Sequence, residues 1–423
     1  METAWLVDQI KKISNPLKSM DDIDPLIEAI GEARYVLLGE ATHGTAEFYT
    51  LRTEISKRLI GQKNFKFIAV EGDWPSCYSL NRYIKNKEGQ QTAIQDVMLR
   101  EFNRWPSWMW ANRETVELCR WLAKTNLGLQ QGDKIGFYGL DVYSLWESME
   151  EIIRYLESIG SDEVESAKRA YQCFEPFRKD SEQYALSASF LSETCEDEVV
   201  QLLIKMQDNR EKVKGNKDKE AGLAAELNAL VAVDAEKYYR SMVRGGPDSW
   251  NIRDRHMVEA LDRLMKFHGP EAKVIVWEHN THIGDARATD MKNEGLINVG
   301  QLLREKHTKD QVFSVGFGTQ RGTVIAAKEW GAPFETMDVP EAKQGSWEDL
   351  LHRAGEHDKF IIFKEEDPVF HFTLDHRAIG VVYRAKHEWG NYVPTVLSER
   401  YDAFVYVDRS HALHPLVLEH TLK

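Results

Sequence analysis

The chain has 423 residues, 42% of them hydrophobic and 29% charged, which is typical of a globular protein. The formal net charge is −14 and no block of Lys and Arg stands out, so we expect no nucleic-acid partner. We also expect no membrane partner and a cytoplasmic location, because no apolar run approaches a membrane span and the N-terminus lacks the apolar core of a signal peptide.

The four cysteines are scattered along the chain, at Cys77, Cys119, Cys173 and Cys195. None form a CxxC pair, and four scattered thiols do not make a disulfide framework in a chain of this length. We therefore expect reduced cysteines, as in cytoplasmic proteins.

Five continuous apolar runs predict strands that are buried on both faces, because such strands do not alternate. In chain order the runs are 35–40, 67–73, 135–141, 274–280 and 312–318. Helical patterns separate most of them, and this alternation predicts an α/β fold with a mostly parallel central sheet flanked by helices. Three later runs are candidates to complete the sheet: 359–363, 379–383 and 404–408.

The segment between the third and fourth runs, from Ser144 to about Arg244, has helical periodicity and no convincing strand. We predict an all-helical insertion that forms a cleft as its lid or wall, and the alternative is simple cover of the sheet. The predicted domains are a first part of the α/β core at 1–143, the insertion at 144–250 and a second part of the core at 251–423.

Four of the five predicted strands end in polar side chains, most of them titratable. These residues are Glu40, Glu71, Asp73, Asp141, Glu278, His279 and Asn280. Ligands of open α/β sheets bind beyond the carboxyl ends of the strands, so the pattern favours a single site. The alternative is that each residue caps its own following helix.

His43 follows the first strand at the start of a predicted helix. A helix N-terminus disfavours the imidazolium, and a neutral imidazole can take a proton from water. Either Glu40 or Glu71 would hold the opposite ring nitrogen. His279 and His282 share one face if their segment is a helical turn.

Donor groups should face the oxyanion that forms when water attacks a carbonyl. Arg52, His279 and His282 are the candidates for this role, unless Arg52 is an ordinary surface or core-edge arginine.

Four further residues are candidates to bind the substrate: Asp285, its possible partner Arg287, and Trp105 and Tyr143 as walls of a partly apolar pocket. The alternative for Trp105 is hydrophobic packing beneath the sheet edge. The later histidines are expected to be packed or exposed without a role; they are His376, His411 and His414.

A mononuclear metal site built from His43, Glu71 and His279 is an alternative. The sequence has no GxSxG elbow, no phosphate-binding loop and no dinucleotide fingerprint, so we predict no cofactor. What remains beside the metal alternative is hydrolysis by an activated water.

Seven stretches together resemble the erythromycin esterase family over roughly residues 35–410: GEATHGTAEF, EGDWP, RWPSWMW with NRE, YGLDVYSL, WNIRDRHM, HNTHIGDARAT and RAIGVVYR. The resemblance implies an α/β core with a helical insertion and a deep cleft. It also implies hydrolysis of a small-molecule ester, in the best-known members the lactone of macrolide antibiotics, which confers resistance. Other members carry a succinoglycan-biosynthesis label.

The resemblance also implies roles for individual residues. The family's water-activating histidine falls on His43, and its supporting acidic residues fall on Glu40 and Glu71. Its arginine falls on Arg52, and its histidine pair on His279 and His282. The hypothesis is a metal-independent ester hydrolase, with a ligand-binding protein that kept the cleft as the alternative of a different class.

Overall fold

The computed structural model describes residues 2–87, 92–177, 180–191, 194–212, 218–364 and 371–416. Its strands are β1 Asn15–Pro16, β2 Tyr35–Leu38, β3 Phe67–Asp73, β4 Gly136–Asp141, β5 Val274–Trp277, β6 Val312–Ala327, β7 Phe334–Val339, β8 Lys359–Ile362, β9 Thr373–Arg377, β10 Tyr392–Val396 and β11 Ala403–Ser410. Its helices are α1 Glu2–Ile13, α2 Asp24–Ile30, α3 Ala46–Lys63, α4 Trp74–Ile84, α5 Ile94–Glu101, α6 Arg113–Leu127, α7 Leu145–Ser158, α8 Val164–Phe174, α9 Ser181–Leu191, α10 Glu196–Lys212, α11 Lys219–Met242, α12 Asp248–His268, α13 Asn280–Ile283, α14 Val299–Lys306, α15 Trp347–Arg353 and α16 Leu397–Arg400.

The chain forms two compact units. The first comprises residues 1–69, 80–136 and 272–423, and the second comprises residues 70–79 and 137–271. The predicted domain limits, the lid role of the insertion and the cleft stay predictions.

The first unit contains a sheet with the strand order β1-β8-β11-β6-β2-β5, and β7 pairs with β6. Strand β2 runs parallel to β5 and β6, and β11 runs parallel to β6. All four residues of β2 are buried, as expected for a strand whose continuous apolar run faces helices on both sides. The predicted α/β class with a mostly parallel sheet and flanking helices is confirmed.

Two of the predicted strands differ from the structure. Strand β6 continues to Ala327, well past the predicted end, because its second half pairs with both β11 and β7. The run 379–383 is not a strand: Ile379 and Val382 make only isolated bridges, to Thr42 and Ala327. Its apolar residues are explained by packing, since Ile379 and Tyr383 belong to a small core cluster beside β6 and β7.

The second unit is helical after β4: residues 142–271 hold α7–α12 and no strand within their described part. Apolar residues of these helices form one buried cluster, which includes Met149, Phe174 and Leu202. No helix in the described part of the chain combines the length and the apolar composition that a bilayer span requires.

The expectation that all four cysteines are reduced is wrong for one pair. Cys173 and Cys195 form a disulfide in the helical unit, with their Cα atoms 5.9 Å apart. Their 22-residue separation gave no sign of this pairing, which arises because the chain folds back after α8. Cys77 and Cys119 are buried, and burial raises the pKa of Cys119 to about 12, so this thiol is inert.

Candidate active site

The loop between β2 and α3 carries His43 and is held by backbone hydrogen bonds from other segments. The Ala41 carbonyl accepts from the Ile379 amide at 2.8 Å. The Gly44 carbonyl accepts from the amides of Ile325 and Leu413, at 3.0 and 2.9 Å. These bonds fix the backbone from which the His43 side chain extends. A catalytic side chain needs such a fixed position.

The orientation of the His43 ring is set by Glu40. The ring Nδ1 lies 2.8 Å from Oε1 of Glu40, and both residues are buried. A carboxylate can only accept, so Nδ1 carries the proton and the neutral ring presents its lone pair at Nε2. Such a nitrogen can act as a general base.

Arg52 binds the other oxygen of the same carboxylate. Its Nη2 donates to Oε2 of Glu40 at 2.5 Å, and the side chain is fully buried. The guanidinium carbon lies 4.6 Å from the ring centroids of both Tyr49 and Trp277, so aromatic faces also stabilise the cation. Arg52 therefore holds the Glu40 carboxylate in place, behind the histidine.

His279 approaches the same group from the end of β5. Its ring centroid lies 4.9 Å from that of His43. Nδ1 of His279 lies 2.8 Å from Oγ1 of Thr281 and accepts from the Thr281 backbone amide at 3.3 Å. A hydroxyl can donate or accept but an amide N–H can only donate, so the amide contact favours a proton on Nε2 in the neutral ring. The two histidines thus have opposite tautomers, one an acceptor and one a donor at Nε2. His282 is buried on α13, the short helix that begins directly after His279.

Glu71 belongs to a different cluster, in the second unit. Arg253 on α12 donates to Glu71 at 2.7 Å and binds Asp141 with two bonds of 2.9 and 2.7 Å. The guanidinium carbon also lies 4.9 Å from the ring centroid of Tyr143. Burial opposes the charge of Arg253, but Asp141, Tyr143 and Glu71 outweigh it and raise the pKa of this arginine.

The remaining predicted substrate-binding residues contact other residues of the first unit. Asp285 accepts from Nε and Nη2 of Arg287 at 2.9 and 2.7 Å, and longer ion pairs join Asp285 to Arg304 and Arg287 to Glu305. The indole of Trp105 donates to the Ala332 carbonyl, and its ring centroid lies 4.5 Å from that of Trp330.

Within the first unit the structure brings together Glu40, His43, Arg52 and His279. Within the second it joins Glu71 and Tyr143 through Arg253. Sequence reasoning did not single out Arg253; the stretch WNIRDRHM, an arginine among charges on an amphipathic helix, was the available signal. Within the described residues, no three side chains of His, Cys, Asp or Glu are grouped so that they could hold a metal ion.

A sequence model of the erythromycin esterase family matches residues 60–410 of this chain. The erythromycin esterase type II of Escherichia coli is 23% identical over 84% of this chain and 86% of its own length.

Two solved structures share the fold. A succinoglycan biosynthesis protein superposes with a TM-score of 0.80 at 21% identity, over 97% of this chain and 98% of its own. A mutant of the erythromycin esterase EreC in its open conformation gives a TM-score of 0.66 at 16% identity, over 93% of this chain and 94% of its own. On the family match, which covers most of its residues, this chain belongs to the erythromycin esterase family.

Proposed function

We propose that this protein is a carboxylic ester hydrolase that cleaves an ester or lactone with water activated by His43. Membership of the erythromycin esterase family supports a hydrolase. The observation that carries the proposal is the hydrogen bond of 2.8 Å between Nδ1 of His43 and Glu40, since it leaves Nε2 as the basic nitrogen.

In the proposed reaction, Nε2 of His43 removes a proton from water as the water oxygen attacks the carbonyl carbon. The imidazolium that forms is stabilised by Glu40, whose charge is balanced by Arg52. His279, with its proton on Nε2, is suited to donate to the oxyanion. The ester C–O bond then breaks, and His43 returns the proton to the leaving alkoxide. The products are a carboxylic acid and an alcohol, or one ring-opened hydroxy acid from a lactone.

The matched family segment begins at residue 60, so the proposed roles of Glu40, His43 and Arg52 depend on their geometry in this chain. Glu71, whose ionic partner is Arg253, stays a candidate catalytic residue without an assigned step. The two relatives named for erythromycin esterase make a macrolide lactone the first substrate class to test.

The experiment is hydrolysis of an activated short-chain acyl ester and of a macrolide lactone by the purified protein, beside His43→Ala. Turnover by the wild type and not by the variant supports the proposal. A wild type that binds these compounds tightly without turning them over contradicts it and supports a binding protein. Loss of turnover after dialysis against a chelator, restored by a divalent cation, would favour the metal-dependent alternative.

A further inference from the structure

Asn280 lies at the centre of a buried polar network in the first unit, directly after His279. Its Oδ1 accepts from the Phe317 amide at 3.2 Å, and its Nδ2 donates to the Phe317 carbonyl at 2.6 Å. Because these two bonds have opposite polarity, only one orientation of the side-chain amide satisfies both. The direction of the remaining Nδ2 hydrogen is therefore known.

That hydrogen points to His376. Nδ2 of Asn280 lies 3.3 Å from Nε2 of His376, so Nε2 must be an acceptor. The proton of the neutral ring then lies on Nδ1, which is 2.5 Å from Oε1 of Glu348. The tautomer demanded by Asn280 is thus the one that Glu348 stabilises. The network runs from Glu348 through His376 to Asn280.

Burial and the surrounding charges favour the neutral form of His376. His376 and Glu348 are both buried, and Glu348 also accepts from the backbone amide of Arg377 at 3.1 Å. Burial lowers the pKa of His376, and the cations Arg400 and Arg377 act in the same direction against the opposing effect of Glu348. The neutral ring is therefore favoured, as the acceptor role of Nε2 requires.

The backbone of Asn280 joins the two histidine-bearing segments. Its amide donates to the Glu40 carbonyl at 2.9 Å, and its carbonyl accepts from Arg400 at 3.1 Å. Gly39 makes room for the amide, because a Cβ there would lie 2.1 Å from Oδ1 of Asn280. Asn280 thus links the end of β2, which carries Glu40, to α13, which carries His282.

We infer that His376, oriented by Glu348, is a positioning residue for the proposed hydrolysis: it fixes Asn280 and thereby the placement of His279 relative to the Glu40–His43 pair. This inference depends on the proposed function only for its kinetic readout. His376 touches none of the reacting atoms, so its effect should appear in kcat and not in KM.

Two substitutions separate positioning from simple packing. His376→Gln places an acceptor oxygen where Nε2 was and keeps the bond to Asn280, but loses the donor to Glu348. His376→Asn keeps a donor near Glu348 and loses the acceptor for Asn280. Both remove one buried hydrogen bond, and losing the bond to the Glu348 carboxylate should lower stability more than losing the neutral bond to Asn280.

With an ester substrate, we expect His376→Asn to lower kcat about tenfold or more with KM within about twofold, and His376→Gln to stay within about threefold of wild type. The inference would be overturned if kcat fell equally in both variants or if the fall tracked their loss of thermal stability.

A second measurement does not depend on turnover or on folded variants. Proton–nitrogen correlation NMR of the wild type, labelled with ¹⁵N-histidine, should show His376 protonated at Nδ1 and unprotonated at Nε2. A proton on Nε2 would overturn the inference even if the ester hydrolase proposal holds. If the wild type hydrolyses no ester while His376 has the expected tautomer, the proposed function has failed and the network geometry has not.

Discussion

Replacing Glu40 by glutamine tests the proposed base most directly, because this carboxylate accepts from both His43 and Arg52. Nδ1 of His43 donates to one oxygen at 2.8 Å and Nη2 of Arg52 donates to the other at 2.5 Å. Glutamine has one acceptor and one donor end. If its oxygen faces Arg52, its amide nitrogen faces His43 and forces the ring proton to Nε2, so the base is lost.

In the opposite orientation, the amide nitrogen of the glutamine would face the guanidinium of Arg52. Two donors would then meet in a buried site, which is unfavourable. The substitution also removes the negative charge that stabilises the imidazolium. A hydrogen bond to a charged group contributes about 2 kcal/mol, which corresponds to roughly 30-fold in rate. With the tautomer change added, we expect kcat to fall at least about 100-fold.

The assay is steady-state hydrolysis of an ester that the wild type turns over, with His43→Ala as the reference for complete loss. Glu47→Gln is the matched control, because Glu47 also accepts from a histidine Nδ1, that of His411 at 2.6 Å, but in an exposed pair. This control should retain activity. A Glu40→Gln protein that folds and keeps kcat within about threefold of wild type would refute the orienting role of the carboxylate.

Three further predictions concern the scaffold. Gly44→Ala should lower both activity and stability, because a Cβ there would lie 1.9 Å from the Ile325 carbonyl oxygen. Gly61→Ala is the control and should be tolerated, because a Cβ there has nothing within 4 Å. If the two variants had equal effects on ester turnover and urea unfolding, the prediction would be contradicted. Replacing Cys173 and Cys195 by serine should lower the free energy of unfolding by about 3 kcal/mol, because the disulfide closes a loop of 22 residues. A reductant should not destabilise the serine variant further. A variant with an unchanged urea midpoint would argue against the disulfide. Burial lowers the pKa of Lys359 to about 8, so between about pH 8 and pH 10 the unfolded chain binds more protons than the folded one. The free energy of unfolding of the wild type, minus that of Lys359→Met, should therefore rise with pH over this range. A difference in urea unfolding that stays flat or falls would contradict the assignment.

The strands that carry the site were predictable because burial leaves a local mark on the sequence. The run that ends before Gly39 is apolar at every position, and the corresponding strand β2 is buried throughout. A polar residue directly after such a run, Glu40 or Glu278, lies at a strand end whatever the partners are. The same local signal failed at 379–383, where apolar residues pack in a loop and not in a strand.

The partners of the polar groups were not predictable, because hydrogen bonds join segments that are distant in sequence. Either Glu40 or Glu71 was expected to hold His43, and only the structure shows Glu40 on Nδ1 and Glu71 on Arg253. His376 gave no sign of a role, since its bonds to Glu348 and Asn280 span 28 and 96 residues.

By itself, the sequence determined the fold class, the positions of the main strands along the chain and the set of residues at their carboxyl ends. These properties follow from hydrophobic periodicity, which acts over a few neighbouring residues. Only the tertiary structure decided which carboxylate orients His43, where Arg52 donates and which two cysteines pair. Such pairings depend on the long-range packing of elements, because a hydrogen bond or a disulfide requires atoms to meet within a few ångströms in space.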